Sequence, residues 1–333
     1  MKIVSGFRHI PGIHCGSTSM NDLLAHLSVP LGESMCFGLG SGLGFYYYRN
    51  VDRENGMTSF LFHGRTGTLE IDLCKHLALD FEQGAEADAE RAWQTAQAFI
   101  DHDVPMLLHL ELSRLPYYNT RTPFPGHRAV LAGYDDERRM AFLADAHFPG
   151  LQEVTYEVLR AAREVRFEPL TIPNQWLVVK PARQMMPLSE AIVNALRDNA
   201  LGMIRINSSS QGIEGMKLLA ADFEHWREVS DWQLCARLGY QIIERRGTGG
   251  GFFRKIYAQY LRQAEVEVNG LANAGLSQSM NDIADEWTAL SMLLKRLSEE
   301  SQPPTFAEAS EVIRRMADRE QEFWNKVLEI VED

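Results

Sequence analysis

The sequence predicts an α+β protein, with a mixed helix–strand N-terminal domain over residues 1–185 and an all-helical C-terminal domain over 186–333. Three observations carry this expectation. A helical pattern comes first and is followed by strands joined through short turns, an order that suits antiparallel pairing better than alternating βαβ units. Pro169, Pro173, Pro181 and Pro187 crowd one stretch and mark a boundary near residue 185. Beyond it, nearly every segment repeats its apolar residues at helical spacing.

In order, "SMNDLLAHL" places Met20, Leu23, Leu24 and Leu27 on one helical face. "ESMCFGLGSGLGFYYYRN" is apolar and glycine-rich, and reads as turn and strand. "TSFLFHG" reads as a strand, "AEADAERAWQTAQAFIDHD" as a helix and "VPMLLHLEL" as the strand after it. "LPYYNTRTPFPG" (115–126) is a proline-rich loop. "HRAVLAGYD" and "RMAFLADA" form a hairpin turning at "DERR". Past the boundary six helical stretches follow, with Ser189 and Ser230–Asp231 as expected N-caps. "QPPT" (302–305) separates the last two.

The net charge of −12 opposes nucleic acid and anionic membrane as main partners. No apolar run approaches the ~18 residues of a membrane span, and the N-terminus lacks the apolar stretch of an export signal. The four cysteines, Cys15, Cys36, Cys74 and Cys235, show no CxxC or Cys/His spacing. No metal site is expected, and reduced thiols in a cytoplasm are.

One cysteine stands apart. In "GIHCGSTSMNDLLAHL", Cys15 opens the first helix. A helix N-terminus carries roughly +0.5 charge and free N–H groups, which favour a thiolate, the nucleophilic form. A thiolate needs a proton acceptor, and His127 is the candidate. It begins one strand of the hairpin while Asp145 ends the other, and a turn near Asp136–Glu137 sets the two nearly opposite each other. Asp145 would then hold the imidazole by one nitrogen while the other faces the thiol. His14, the neighbour of Cys15, and Glu33 are candidate support or substrate contacts. "GLGSGLG" (38–44) lacks the Lys-Ser/Thr ending of a phosphate loop and reads as backbone passing close to the active-site helix. In "ERRGTGGGFFRKIY", Gly249 and Gly250 open a helix amid Arg245, Arg246, Arg254 and Lys255, a candidate anion or carrier-protein contact.

Cys15 on the first helix followed by "GHRAVLAGYD…FLAD" resembles the papain-like cysteine peptidase fold, notably the bacteriocin-processing peptidases. The longer set "HCGSTSMNDLL…GLGSGLGF", the His127/Asp145 hairpin and "IIERRGTGGGFFRKIYAQYL" resembles the butirosin biosynthesis protein H family in both halves of the chain. That resemblance implies transfer of an acyl group from the phosphopantetheine thioester of an acyl carrier protein to an amine of a small molecule, in antibiotic or other specialised biosynthesis. Cys15 would carry the acyl group, His127 would be the base and Asp145 the orienting residue. No cofactor of the chain's own is implied; the pantetheine arrives with the donor. A homodimer is an open option. The bacteriocin-processing peptidases place a Gln before the cysteine as oxyanion donor, whereas "FRHIPGIH" has none, so the Cys15 N–H with His9 or His14 is the expected substitute. The alternatives are a cysteine hydrolase (peptidase, amidase or thioesterase) or cyclase on the same three residues, or a non-catalytic binding or scaffold protein.

Overall fold

The computed structural model describes residues 1–50, 58–124, 126–165, 172–206 and 208–332, so Pro125 and Pro169 of the proline-rich stretches lie outside the described residues. The fold is α+β. In chain order its elements are β1 (Lys2–Ile3), α1 (Cys15–His26), α2 (Glu33–Leu39), β2 (Leu43–Arg49), β3 (Phe60–Arg65), α3 (Leu69–His76), β4 (Asp80–Ala85), α4 (Ala89–Asp101) and β5 (Met106–Leu110). There follow β6 (His127–Asp135), β7 (Met140–Ala144), β8 (Gln152–Thr155), α5 (Tyr156–Arg163) and β9 (Gln175–Lys180). The rest is helical: α6 (Leu188–Ile204), α7 (Gly212–Asp222), α8 (Trp232–Glu244), α9 (Arg254–Glu267), α10 (Leu276–Leu297) and α11 (Ala307–Glu332).

These elements form two compact units, Met1–Cys36 with Leu77–Met185, and Phe37–His76 with Met186–Asp333. The first is built on one antiparallel sheet in the order β4-β9-β5-β6-β7-β8, and β1 pairs with β6 beyond the end of β5. Met106, Leu108 and Leu110 alternate along β5 and pack with Ala129, Leu131, Leu143 and Val178 against α4 (Ala96, Ile100) and α5 (Leu159, Ala162). Helix α1 lies along β5 and β6, with Met20, Leu23 and Leu24 buried. Each such leucine contributes about 1.5–3 kcal/mol by leaving water. Strand β9, which sits between β4 and β5, hides in the stretch read as a proline-rich boundary. Its prolines bracket the strand instead of interrupting it. Pro173 precedes it and Pro181 follows it, so every ladder position keeps its N–H.

The second unit departs from a single cut at residue 185, because residues 37–76 group with the helices. The reason is aromatic packing. Phe45 and Phe62 of the β2–β3 ladder meet Phe252 and Trp287, with ring centroids 4.5–6.2 Å apart. A Cβ at Gly64 would come within 2.9 Å of the Phe252 ring. "GLGSGLG" serves the same unit, since a Cβ at Gly38 would fall 2.0 Å from the Tyr260 ring and one at Gly40 2.6 Å from Leu69. The close approach it permits is to Tyr260 and Leu69. The two expected caps fare differently. Pro187, not Ser189, is the N-cap of α6. Asp231 holds the N-cap position of α8 but accepts from the N–H and hydroxyl of Ser59. Among the described residues no helix is long and apolar enough to cross a membrane.

Candidate active site

Helix α1 begins at Cys15. His14 is its N-cap, in extended backbone, and its Nδ1 accepts from the Ser17 N–H at 3.2 Å, a role usually taken by Ser, Thr, Asp or Asn. The first turn holds no acidic residue. The loop before it is tied at both ends. Glu33 Oε1 accepts from the N–H groups of Ile13 (2.8 Å) and His14 (2.5 Å) and from the Thr18 hydroxyl (3.0 Å). The Gly12 N–H donates to the Ala146 carbonyl at 2.7 Å, and a Cβ on Gly12 would lie 2.2 Å from Thr18 Oγ1. Glu33 is thus a brace for the backbone that presents the thiol. Cys15 keeps 8% of its surface, against 0–1% for Cys36, Cys74 and Cys235. Burial pushes the Cys74 thiol up to about 12, which suits an inert core position.

His127 and Asp145 meet, though not as directly opposed residues. The hairpin pairs Val130 with Ala144, and a bulge separates that register from Gly133–Phe142. Continuing it one step sets Asp145 beside Ala129, so His127 is its diagonal neighbour on the same face. The side chains bridge that diagonal, and His127 Nε2 donates to Asp145 Oδ2 at 2.8 Å. The other two donors to this carboxylate come from the loop: the Tyr117 hydroxyl to Oδ2 at 2.8 Å and the Tyr118 hydroxyl to Oδ1 at 2.7 Å. The Tyr118 ring stands edge-on to the His127 ring at 5.3 Å, and Phe148 packs edge-on against both tyrosines. The Cys15 side chain is also near enough to His127 to favour its cation. With Nε2 on Asp145, Nδ1 is the nitrogen available to the sulfur.

The electrostatics follow from these partners. Burial disfavours the His127 cation, but the Asp145 charge, their hydrogen bond and Cys15 override it and raise its pKa to about 10. Burial likewise opposes charge on Asp145, and His127, Tyr118 and Tyr117 hold it below the usual carboxylate value. Burial and the neighbouring carboxylate push both tyrosines up, so they remain donors.

The other expected contacts sort differently. His9 does not offer an oxyanion a proton, because Nδ1 is 2.5 Å from Asp22 Oδ2 and Nε2 faces the carbonyls of Asp145 (3.1 Å) and Phe148 (2.9 Å). Of the six candidates in "ERRGTGGGFFRK", Arg254 is fully buried and doubly bonded to Glu320 at 2.8 and 3.0 Å, out of reach of a carrier protein. The Gly250 N–H donates to Thr248 Oγ1 and the Gly251 N–H to Glu244 Oε1, so the loop closes on itself. Residues 249–251 all have positive φ, and a side chain at 250 would meet Glu244 and one at 251 Ala284. Arg246 donates to Gln241, Arg245 is exposed, and Lys255 is 3.8 Å from Asp285. Among the described residues no group of three His, Cys, Asp or Glu is placed to hold a metal ion.

Sequence reasoning missed Tyr117, Tyr118 and the His9–Asp22 pair. The tyrosines lie in a loop without periodicity, where the only signal was an aromatic doublet just upstream of the candidate base. Asp22 was hidden by reading α1 for its apolar face alone.

Comparison with known families agrees with the resemblance. The family described as butirosin biosynthesis protein H, N-terminal, matches residues 14–146, the segment that carries Cys15, His127 and Asp145. A domain of unknown function (DUF4872) matches residues 157–327, more than half of the chain. No curated protein matches it. By these two matches the chain belongs to the butirosin biosynthesis protein H-like family, and its C-terminal half to the DUF4872 family.

Proposed function

We propose that the chain is a biosynthetic cysteine acyltransferase, moving an acyl group from a thioester donor to an amine of a small molecule through an S-acyl Cys15 intermediate. The observation that carries the reading is the run of contacts from Cys15 through His127 to Asp145, begun at the start of α1. The sheet unit is read as papain-like, because a nucleophile-bearing helix lies along an antiparallel hairpin that supplies the base and its partner.

In the first half-reaction the Cys15 sulfur, its proton already held by His127, attacks the thioester carbonyl. The C–S bond to the donor breaks, and His127 returns the proton to the departing thiol. In the second, the amine attacks the acyl-Cys15 carbonyl, His127 takes a proton from the nitrogen, and the C–S bond breaks to release Cys15 as the thiolate beside the His127 cation. First-turn N–H groups of α1 are the oxyanion donors in this scheme. The family resemblance supports a phosphopantetheine-borne donor on an acyl carrier protein and a product of antibiotic or other specialised metabolism; the basic stretch at 245–255 lends that partner no support.

The test is intact mass spectrometry after incubation with an N-acetylcysteamine acyl thioester, followed by an amine or by water alone. A single adduct on Cys15, absent in Cys15→Ser and discharged faster by amine than by water, is the expected result. No adduct on folded wild-type protein overturns the reading, and discharge by water at the same rate assigns a hydrolase.

A further inference from the structure

A second histidine–carboxylate pair lies behind the site. His9 and Asp22 have side chains only 4% and 1% exposed. Asp22 stands seven residues after Cys15, about two turns along α1 and so on the same side of the helix. Its Oδ2 is 2.5 Å from His9 Nδ1, and its Oδ1 accepts from the Ile10 N–H at 3.0 Å. The opposite edge of the His9 ring faces the carbonyls of Asp145 and Phe148. All three partners are acceptors, so both ring nitrogens donate.

These contacts close a ring: from Cys15 along α1 to Asp22, across His9 to the backbone of Asp145, then through the Asp145 carboxylate and His127 back to Cys15. We infer that His9, held by Asp22, is a positioning residue that fixes the Asp145 backbone relative to the helix carrying Cys15. The inference rests on the reading of Cys15 as nucleophile. The Gly12–Ala146 bond is a second link between the loop before Cys15 and the segment after Asp145. Small displacements between reacting groups are costly in rate, so a tie at this point controls reactivity without touching a substrate.

Two substitutions separate this role from simple packing. His9→Gln keeps a donor where Nε2 stood, facing the two carbonyls. His9→Asn keeps a donor where Nδ1 stood, facing Asp22, and loses the strap. The measurement is the rate of Cys15 alkylation by iodoacetamide in the full chain, with thermal melts to confirm folding. We expect His9→Asn to slow alkylation about tenfold and His9→Gln to stay within about threefold of wild type. Wild-type speed in His9→Asn, or equal slowing in both, overturns the inference while leaving the nucleophile standing. A slow wild-type Cys15 brings down the nucleophile and the inference together. Should His9→Asn not fold, Asp22→Asn replaces it, with slowing of severalfold expected and an unchanged rate overturning the strap.

Discussion

One buried ion pair from each unit, Arg254–Glu320 and His127–Asp145, can be set side by side, and the two are built to opposite ends. In the helical unit Arg254 and Glu320 are wholly enclosed. The guanidinium makes two bonds to the carboxylate and a third to the Phe252 carbonyl, lies 5.1 and 5.0 Å from the ring centres of Phe252 and Trp287, and Trp287 donates to the same carboxylate. Its polar contacts point inward. In the sheet unit Asp145 is as well satisfied, by His127 and two tyrosines, but the imidazole has Cys15 as a further neighbour, a residue that keeps 8% of its surface. Burial and charge are common to both. What separates a scaffold from a reactive site is whether the pair hands one polar atom on to a group that can react.

The largest effects should break that difference. His127→Ala removes the atom that turns outward, and the Cys15 acylation rate should fall about 10²–10⁴-fold, as expected for loss of a general base. Asp145→Asn should cost less, because the imidazole stays. Stopped-flow release of the donor thiol measures both, and an undiminished rate in His127→Ala would require another base. The mirror experiment is Glu320→Gln. Leaving Arg254 buried beside a neutral partner should destabilise the protein by about 3–5 kcal/mol in urea unfolding, with the acylation rate of the remaining folded molecules unchanged.

This contrast also shows what can be seen before folding. Cys15, His127 and Asp145 were legible because each sits at an element end, where the capping and hairpin arithmetic of a chain is strongest. The antiparallel α+β character was legible from strand order. Arg254 was misread because a basic residue after three glycines looks the same in sequence whether it faces an anion or Glu320, sixty-six positions on. The inclusion of 37–76 in the helical unit was hidden likewise, since nothing local tells Phe45 and Phe62 that their partners are Phe252 and Trp287. β9 was missed because prolines were read as interruptions when they were brackets. Long-range pairing decided each of these, and composition windows do not carry it.

A smaller effect sharpens the comparison by pH. The pKa of His127 is raised in the folded state, so its contribution to stability is complete below the unfolded value near 6.5 and is lost as pH climbs toward about 10. Asp145 is lowered, so its share is complete above 3.8 and is lost as pH falls below that value. The stability gap between wild type and Asp145→Asn should therefore be widest between these limits and shrink from pH 7 to pH 10. Glu320→Gln should show no such narrowing over that range, because that variant removes no histidine–carboxylate pair. Urea midpoints for both variants across pH decide the point, and a constant gap for Asp145→Asn would mean that His127 is neutral in the folded protein.

The smallest effect lies with the tyrosines. Tyr118→Phe takes one of three donors from Asp145 and leaves a buried carboxylate oxygen without that partner, while Tyr117 and His127 still hold the other oxygen. Loss of a hydrogen bond to a charged group costs about 1.5–3 kcal/mol when nothing replaces it. Most of that should appear as stability, because the ring stays packed against Phe148 and the imidazole keeps its bond, so acylation should slow by less than about tenfold. The double variant Tyr117→Phe/Tyr118→Phe should cost more than the sum of the singles, because it leaves His127 as the last of the three donors to the charge. Simple additivity in that cycle would show that the two hydroxyls act on Asp145 independently, and that the carboxylate is oriented by His127 alone.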